Sequence, residues 1–128
     1  MQIVQGLFDA VGRGDIEGAL RYVRSDAEWV NPDNAMEPGT RRGLDGVRTA
    51  LAALRDSFAD LRFDIDRMDD LGDRVLVTGA FSGLGRASGA AFGPQTFGAL
   101  LTLVGGKVLR YQWYLDPDEA IEAAGLSE

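Results

Sequence analysis

The first part of the chain repeats apolar residues every three or four positions. Ile3, Val4, Leu7, Phe8 and Val11 fall on one stripe and predict a helix that stops at Gly12 and Gly14. Asp15 is a good N-cap for a second short helix, with Ile16, Ala19, Leu20 and Val23 on its apolar face. Ser25 and Asp26 turn the chain into a strand that ends in "EWVNPD", Glu28 to Asp33. Strand side chains alternate, so Trp29 and Asn31 share one face while Glu28 and Val30 take the other. Pro32 to Thr40 contains two prolines and a glycine and has no period, which predicts a loop. A third helix is expected from Asp45 to Phe58, with Val47, Leu51, Leu54 and Phe58 on one stripe.

After that helix the period changes from helical to strand-like. "LRFDID" sets Leu61, Phe63 and Ile65 against Arg62, Asp64 and Asp66, the signature of a half-buried strand. "DDLGD" makes a turn, Arg74 to Arg86 a long strand, and Ser88-Gly89 a hairpin loop. "TFGALLTLV" returns, Gly105-Gly106 makes the next hairpin, and "KVLRYQWYLD" is the last long strand. "DPDEAIEAAG" predicts a short C-terminal helix with Pro117 in its first turn and Gly125 at its end. Helices first and hairpins afterwards make an α+β domain, with helices on one face of a curved antiparallel sheet. Residues 1–128 are expected to form one domain.

Composition narrows the chemistry. The chain has 128 residues, 45% apolar and 26% charged, which is ordinary for a globular protein able to bury a core without staples. A net charge of −7 argues against nucleic acid or an anionic membrane as partner. No stretch approaches the roughly 18 unbroken apolar residues of a membrane span. The N-terminus carries Asp9 within an amphipathic stretch, unlike a signal peptide, so a cytoplasmic location is expected. Cysteine and histidine are both absent. That removes thiolate and Ser-His nucleophiles, the usual zinc sites and the imidazole base, and no cofactor or metal is expected. Acid–base chemistry is left to Asp, Glu, Tyr and the single lysine, Lys107. The glycines of "GLGRASG", Gly83 to Gly89, precede a strand rather than a helix, so they read as hairpin glycines and not as a phosphate cradle.

Three stretches together carry a resemblance: "IVQGLFDAVGRGDIEGALRYVRSDAEWVNPD", "RGLDGVRTAL" and "GGKVLRYQWYLD". They resemble the superfamily of ketosteroid isomerases and SnoaL-like polyketide cyclases, with "GRGD", "NPD" and "GGKV…WYLD" as the most specific parts. The resemblance covers nearly the whole chain. It implies the cone-shaped nuclear transport factor 2-like (cystatin-like) fold, in which a bent antiparallel sheet wraps three helices around a deep apolar pocket. Homodimers are common in such proteins. In the steroid isomerases the base is an aspartate just before the proline that ends the first strand; here that position is Asn31. Their oxyanion donors, a tyrosine and a protonated aspartic acid, match Leu7 and Ala99. Limonene-type epoxide hydrolases resemble the opening motif through a Tyr and an Asn two apart, matching Trp29 and Asn31. Their Asp–Arg–Asp relay, however, falls on Phe81, Gly79 and Trp113. The cyclases' acid lies near Trp113.

Alternation puts Tyr111, Trp113 and Leu115 on one face, and the resemblance points that face into the pocket. Val77, Gly79, Phe81, Phe97, Ala99, Leu101 and Leu103 would line the same cavity. The expected ligand site is Trp29, Asn31, Phe81, Tyr111 and Trp113, an aromatic-walled pocket with few polar groups. The alternative is that Trp29 and Trp113 fill the cone as core. Asn31, Asp33 and Tyr111 are the candidates for any catalysis. Turn statistics favour Asp33 as a solvated turn residue, and its place before Pro117 favours Asp116 as a helix cap. Arg41 and Arg42 suit an anionic ligand or a solvated strand. Asp64, Asp66, Asp69, Asp70 and Asp73 lack calcium-loop spacing and read as a charged sheet edge. Two function classes follow: a binder of a small apolar or aromatic molecule that lacks the catalytic acids, or an isomerase, cyclase, dehydratase or hydrolase of a small apolar substrate. A homodimer is expected through the outer sheet face, Leu76, Thr78, Ala80, Leu100, Thr102, Val108, Gln112 and Tyr114, because two apolar faces both need cover.

Overall fold

The computed structural model describes residues 2–35 and 38–126. In chain order the elements are α1 (Gln2–Gly12), α2 (Ile16–Leu20), β1 (Val23–Asn31), β2 (Gly39–Arg42), α3 (Gly43–Ser57), β3 (Phe58–Asp70), β4 (Arg74–Gly85), β5 (Ala91–Val104), β6 (Lys107–Tyr114) and α4 (Pro117–Ala123). The six strands form one sheet in the order β2-β1-β6-β5-β4-β3. Every pairing is antiparallel except β1 with β6, which run parallel with Trp29 opposite Tyr111 and Val30 opposite Gln112. This is the α+β architecture that the periodicity predicts. The boundaries differ locally. Val23 opens β1 instead of closing α2, and Gly39 to Arg42, at the end of the expected loop and just beyond it, pair with β1. Positions 36 and 37 of that loop lie outside the described residues. α3 starts at Gly43, whose φ of 73° suits a residue without Cβ, and Phe58 is already extended.

Two cores lie on opposite faces of the sheet. The larger one packs Val4, Leu7 and Phe8 of α1, Leu20 of α2 and Val47 and Leu51 of α3 against Trp29, Val75, Val77, Phe97, Leu101 and Tyr111. The smaller one packs Leu76 and Leu100 under Ala120, Ile121 and Ala124 of α4. The helices are therefore not all on one face, as periodicity alone suggests; α4 crosses to the outside. Asp116 caps it by accepting from Asp118 N at 2.9 Å, and Arg74 Nη2 donates to the Ala124 carbonyl at its far end, 3.2 Å away.

This arrangement changes the expected outer face. Leu76 is fully buried and Leu100 is 8% exposed, both covered by the chain's own helix. Thr78 is buried and donates to Asp66 Oδ1 at 2.6 Å. Val108 lies in the inner core, contrary to simple alternation from Tyr111. The reason is a bulge: Thr102 pairs with Arg110 but Leu103 with Val108, so Leu109 is an extra residue that reverses the faces below it. Further register shifts in β3 and β4 bend the sheet around the helices. One lies in β3 between Ala59 and Arg62, where Asp60 takes a positive φ. The "GLGRASG" glycines sit in and beside the β4–β5 hairpin, with Gly85 N donating to the Ala90 carbonyl at 2.9 Å, and β5 follows directly.

α4 can lie close to the sheet because Gly98 has no side chain. A Cβ there would stand 2.5 Å from Ala120 Cβ and 3.1 Å from Pro117 Cα. Gly98→Ala is therefore expected to lower stability by about 1–3 kcal/mol through overpacking. Adding Ala120→Gly should return part of that loss beyond additivity, read from urea melts of the double-mutant cycle. Purely additive losses would mean that α4 does not press on Gly98.

Candidate functional site

The parallel register of β1 and β6 brings the two ends of the chain's aromatic motifs together. Trp29 and Tyr111 are paired across it and stack with ring centroids 4.3 Å apart and planes 19° from parallel. One step further along, Asn31 meets Trp113. The Asn31 carboxamide oxygen accepts from Trp29 Nε1 at 2.9 Å and from Trp113 Nε1 at 2.7 Å. A carbonyl oxygen has two lone pairs, and here both are engaged by indole N–H groups. In this conformation the oxygen of Asn31, a member of the expected ligand set, is thus taken up by the two indoles. Placing Asn beside Trp at a strand end is a means of pairing a buried indole and a half-buried one.

Tyr111 is 8% exposed, and burial pushes its phenol above the ordinary tyrosine value, so it is held neutral. From it the aromatic packing continues through Phe8, with centroids 6.1 Å apart, to Phe63 at 5.2 Å and Phe97 at 6.1 Å from Phe8. Phe81 joins Phe97 at 5.9 Å and Phe63 at 6.3 Å, and then reaches Phe58 and Phe92 at the open end of the long hairpin. All six phenylalanines of the chain belong to this network. Of the expected ligand set, then, Trp29, Asn31, Tyr111 and Trp113 form one cluster. Phe81 belongs to its continuation and shares no ring contact with Trp29 or Tyr111. Phe8 was read only as helix stripe and Phe63 only as strand face; their role in joining the two groups follows from the bend of β3 toward α1.

The interior is filled. The cavity beside Trp29 and Tyr111, walled by Leu7, Val47, Leu51 and Val108 among others, amounts to only about 10 Å³. That is barely the space of one water, and its walls are apolar. Of the two alternatives for the cone, the plugged one holds in this conformation. At the oxyanion-donor positions Leu7 is 3% exposed and Ala99 fully buried, and neither carries a donor. A larger open cleft, about 370 Å³, lies instead between α1 and β3, with Phe8 and Phe63 at its base and Gln5, Asp9, Arg13, Arg62 and Asp64 around it.

The remaining candidates lie outside this cluster. Asp33 is exposed in the turn after Pro32, where Ala35 N donates to the Pro32 carbonyl. Arg42 Nη1 pairs with Glu28 Oε2, and Arg110 Nε stands 3.9 Å from the other carboxylate oxygen. Asp66 accepts from Thr78, Asp69 from Arg67 at 2.7 Å, and Asp70 from Gly72 N. No group of three or more potential metal ligands converges among the described residues.

The Asn31 clamp sets a stability order. Asn31→Leu orphans two indole N–H groups and is expected to cost about 2 kcal/mol or more, at roughly 1–3 kcal/mol for each. Trp113→Phe removes one bond and its donor together, and should cost about 1 kcal/mol for the hydrogen bond. Chemical denaturation of the two variants against the natural protein gives the comparison. Equal losses would show that both indoles reach water freely.

No curated protein matches this sequence. Solved structures do. An NTF2-like protein of unknown function from Burkholderia pseudomallei is 24% identical, with a TM-score of 0.78 over 95% of this chain and 94% of its own. TerC, solved in co-crystals with polyporic acid, is 25% identical with a TM-score of 0.77 over 94% of each chain. A protein of ketosteroid isomerase-like fold from Catenulispora acidiphila, solved with trimethylamine, is 17% identical with a TM-score of 0.79 over 98% of this chain and 94% of its own. Among the described residues no helix is long and apolar enough to cross a membrane. The profile of the SnoaL-like domain matches residues 4–111, so this chain, with its nuclear transport factor 2-like fold, belongs to the SnoaL-like domain family.

Proposed function

We propose that this protein binds a small apolar or aromatic molecule and does not catalyse the reactions of the acid-bearing members of its family. The observation that carries this reading is the Asn31 oxygen held by two indole N–H groups at 2.7 and 2.9 Å, where a base would have to stand. An amide oxygen is not a proton acceptor for carbon acids. Oxyanion stabilisation also needs donors aimed at the developing charge, and Leu7 and Ala99 offer hydrocarbon. The aromatic walls supported by Trp29, Tyr111, Trp113 and Phe81 suit a flat apolar ligand. TerC, co-crystallised with polyporic acid, supports a ligand-binding role for a chain of this shape. Because the resting interior is closed, entry of a ligand requires side chains of the cluster to move apart.

The same reading includes a homodimer through the part of the outer face beyond α4, around Ala80, Thr102 and Gln112, since symmetric pairing is the commonest assembly; of the expected outer-face residues, Tyr114 packs against the α4 core instead. Light scattering at micromolar concentration should then give twice the 13.8 kDa chain mass. A monomer mass refutes the dimer.

A conjugating 5-ene steroid followed by ultraviolet absorbance should show no turnover. Asn31→Asp should stay inactive as well. Its carboxylate would accept from both indoles, which lowers its pKa and weakens it as a base, and the oxyanion donors, typically about 2.7–4 kcal/mol each, would still be missing. Tryptophan fluorescence titrated with a panel of small aromatic and terpenoid carbonyl compounds should identify binders. Steroid turnover by the natural sequence rejects the non-catalytic reading, and a silent panel rejects the binding one.

A further inference from the structure

An indole N–H donates and never accepts. Trp29 and Trp113 come from different strands, yet both aim this group at one point, 2.9 and 2.7 Å from the Asn31 oxygen. Trp29 is 8% exposed and stacked on Tyr111, and Trp113 packs against the inner core. Asn31 is the last residue of β1, next to a proline that cannot continue the ladder, and its side chain is a short, half-buried carboxamide. Two ring-mounted donors therefore define a position for an oxygen atom, and the chain fills that position with its own side chain.

We propose that Trp29 and Trp113 form a two-donor subsite for an acceptor oxygen of the ligand, and that Asn31 is its resident placeholder. This rests on the binding role proposed above and names the chemistry of what is bound. The ligand presents a carbonyl, enolate, phenolate or carboxylate oxygen to the indole pair while its rings lie against the aromatic wall. Anionic oxygens bind more tightly than neutral carbonyls, because a charged acceptor strengthens both bonds. A molecule whose only polar group is a cation or a donor finds no partner there. Asn31 rotates out as the ligand oxygen enters, so the donors are never left unpaired.

The chain has two tryptophans, so proton–nitrogen spectra contain two indole N–H resonances, which Trp113→Phe assigns. Asn31→Ala removes the placeholder, and Asn31→Ser is run beside it in case the first does not fold. In either variant, acetate and acetamide should move both indole resonances downfield with one shared dissociation constant and raise the melting temperature. Methylammonium should do neither. The natural protein should bind acetate at least about tenfold more weakly, because Asn31 competes for the donors. Movement of one resonance only, movement of neither in a folded variant, or an equal response to methylammonium overturns the subsite. If both variants unfold, 1-naphthoate titrated into the natural protein decides it: both resonances must move, and anything less overturns the proposal. An aromatic carbonyl compound that alters fluorescence in the natural protein without moving either resonance removes the subsite and leaves the binding role standing. Acetate binding to Asn31→Ala with no aromatic ligand for the natural protein keeps the subsite and removes that role.

Discussion

The parallel pairing of β1 with β6 is the constraint on which the rest of the structure depends. Without it the chain is a helical half followed by a run of hairpins, each with an uncovered apolar face. With it, β1 and β2 join the sheet and pack against α3, and Trp29 comes to lie on Tyr111. The same register decides that Asn31 stands beside Trp113 and not beside a hairpin residue. A slip by one residue would turn every side chain of β1 to the other face, and it would cost both the ring stack and the shared oxygen.

Filling a cone with rings has a chemical price. Each phenylalanine or tryptophan brought inside displaces space that a substrate and its attendant acids would need. Phe8, Phe63, Phe81 and Phe97 meet at centroid distances of 5.2 to 6.3 Å, within the range in which aromatic rings attract one another. An aspartate among them would be desolvated without a partner and would lose its charge before acting as a base. The hydrocarbon at Leu7 and Ala99 and the amide at Asn31 are thus mutually consistent, and restoring one acid alone would leave it in an unsuitable setting.

Much of the fold could be read from the sequence because both periods are clean. The helix stripe of Leu7 and Phe8, the alternation of "LRFDID" and the glycine pairs at the hairpins each follow from local geometry. The part that could not be read is non-local. Nothing near Leu109 announces a bulge, yet that one extra residue puts Val108 inside. Nothing in "DPDEAIEAAG" says on which side of the sheet its helix will lie; the missing side chain of Gly98 permits it, and only in the folded chain do the two meet. The site divides in the same way. Trp29 and Asn31 were visible as a pair, and Tyr111 and Trp113 as another, but their convergence on one oxygen depends on a pairing between strands that alternation cannot reveal.

That convergence also bears on the order in which the molecule is made. Asn31 and Trp113 are separated by 82 positions, whereas β3, β4, β5 and β6 are each joined to the next by a short connection. Closing a long loop costs entropy that local hairpins do not pay, so distant pairings wait until nearer ones have shortened the effective loop. Loop-closure entropy accordingly favours forming the four-stranded meander ahead of the docking of β1. The indole pair is therefore expected to assemble after the hairpins.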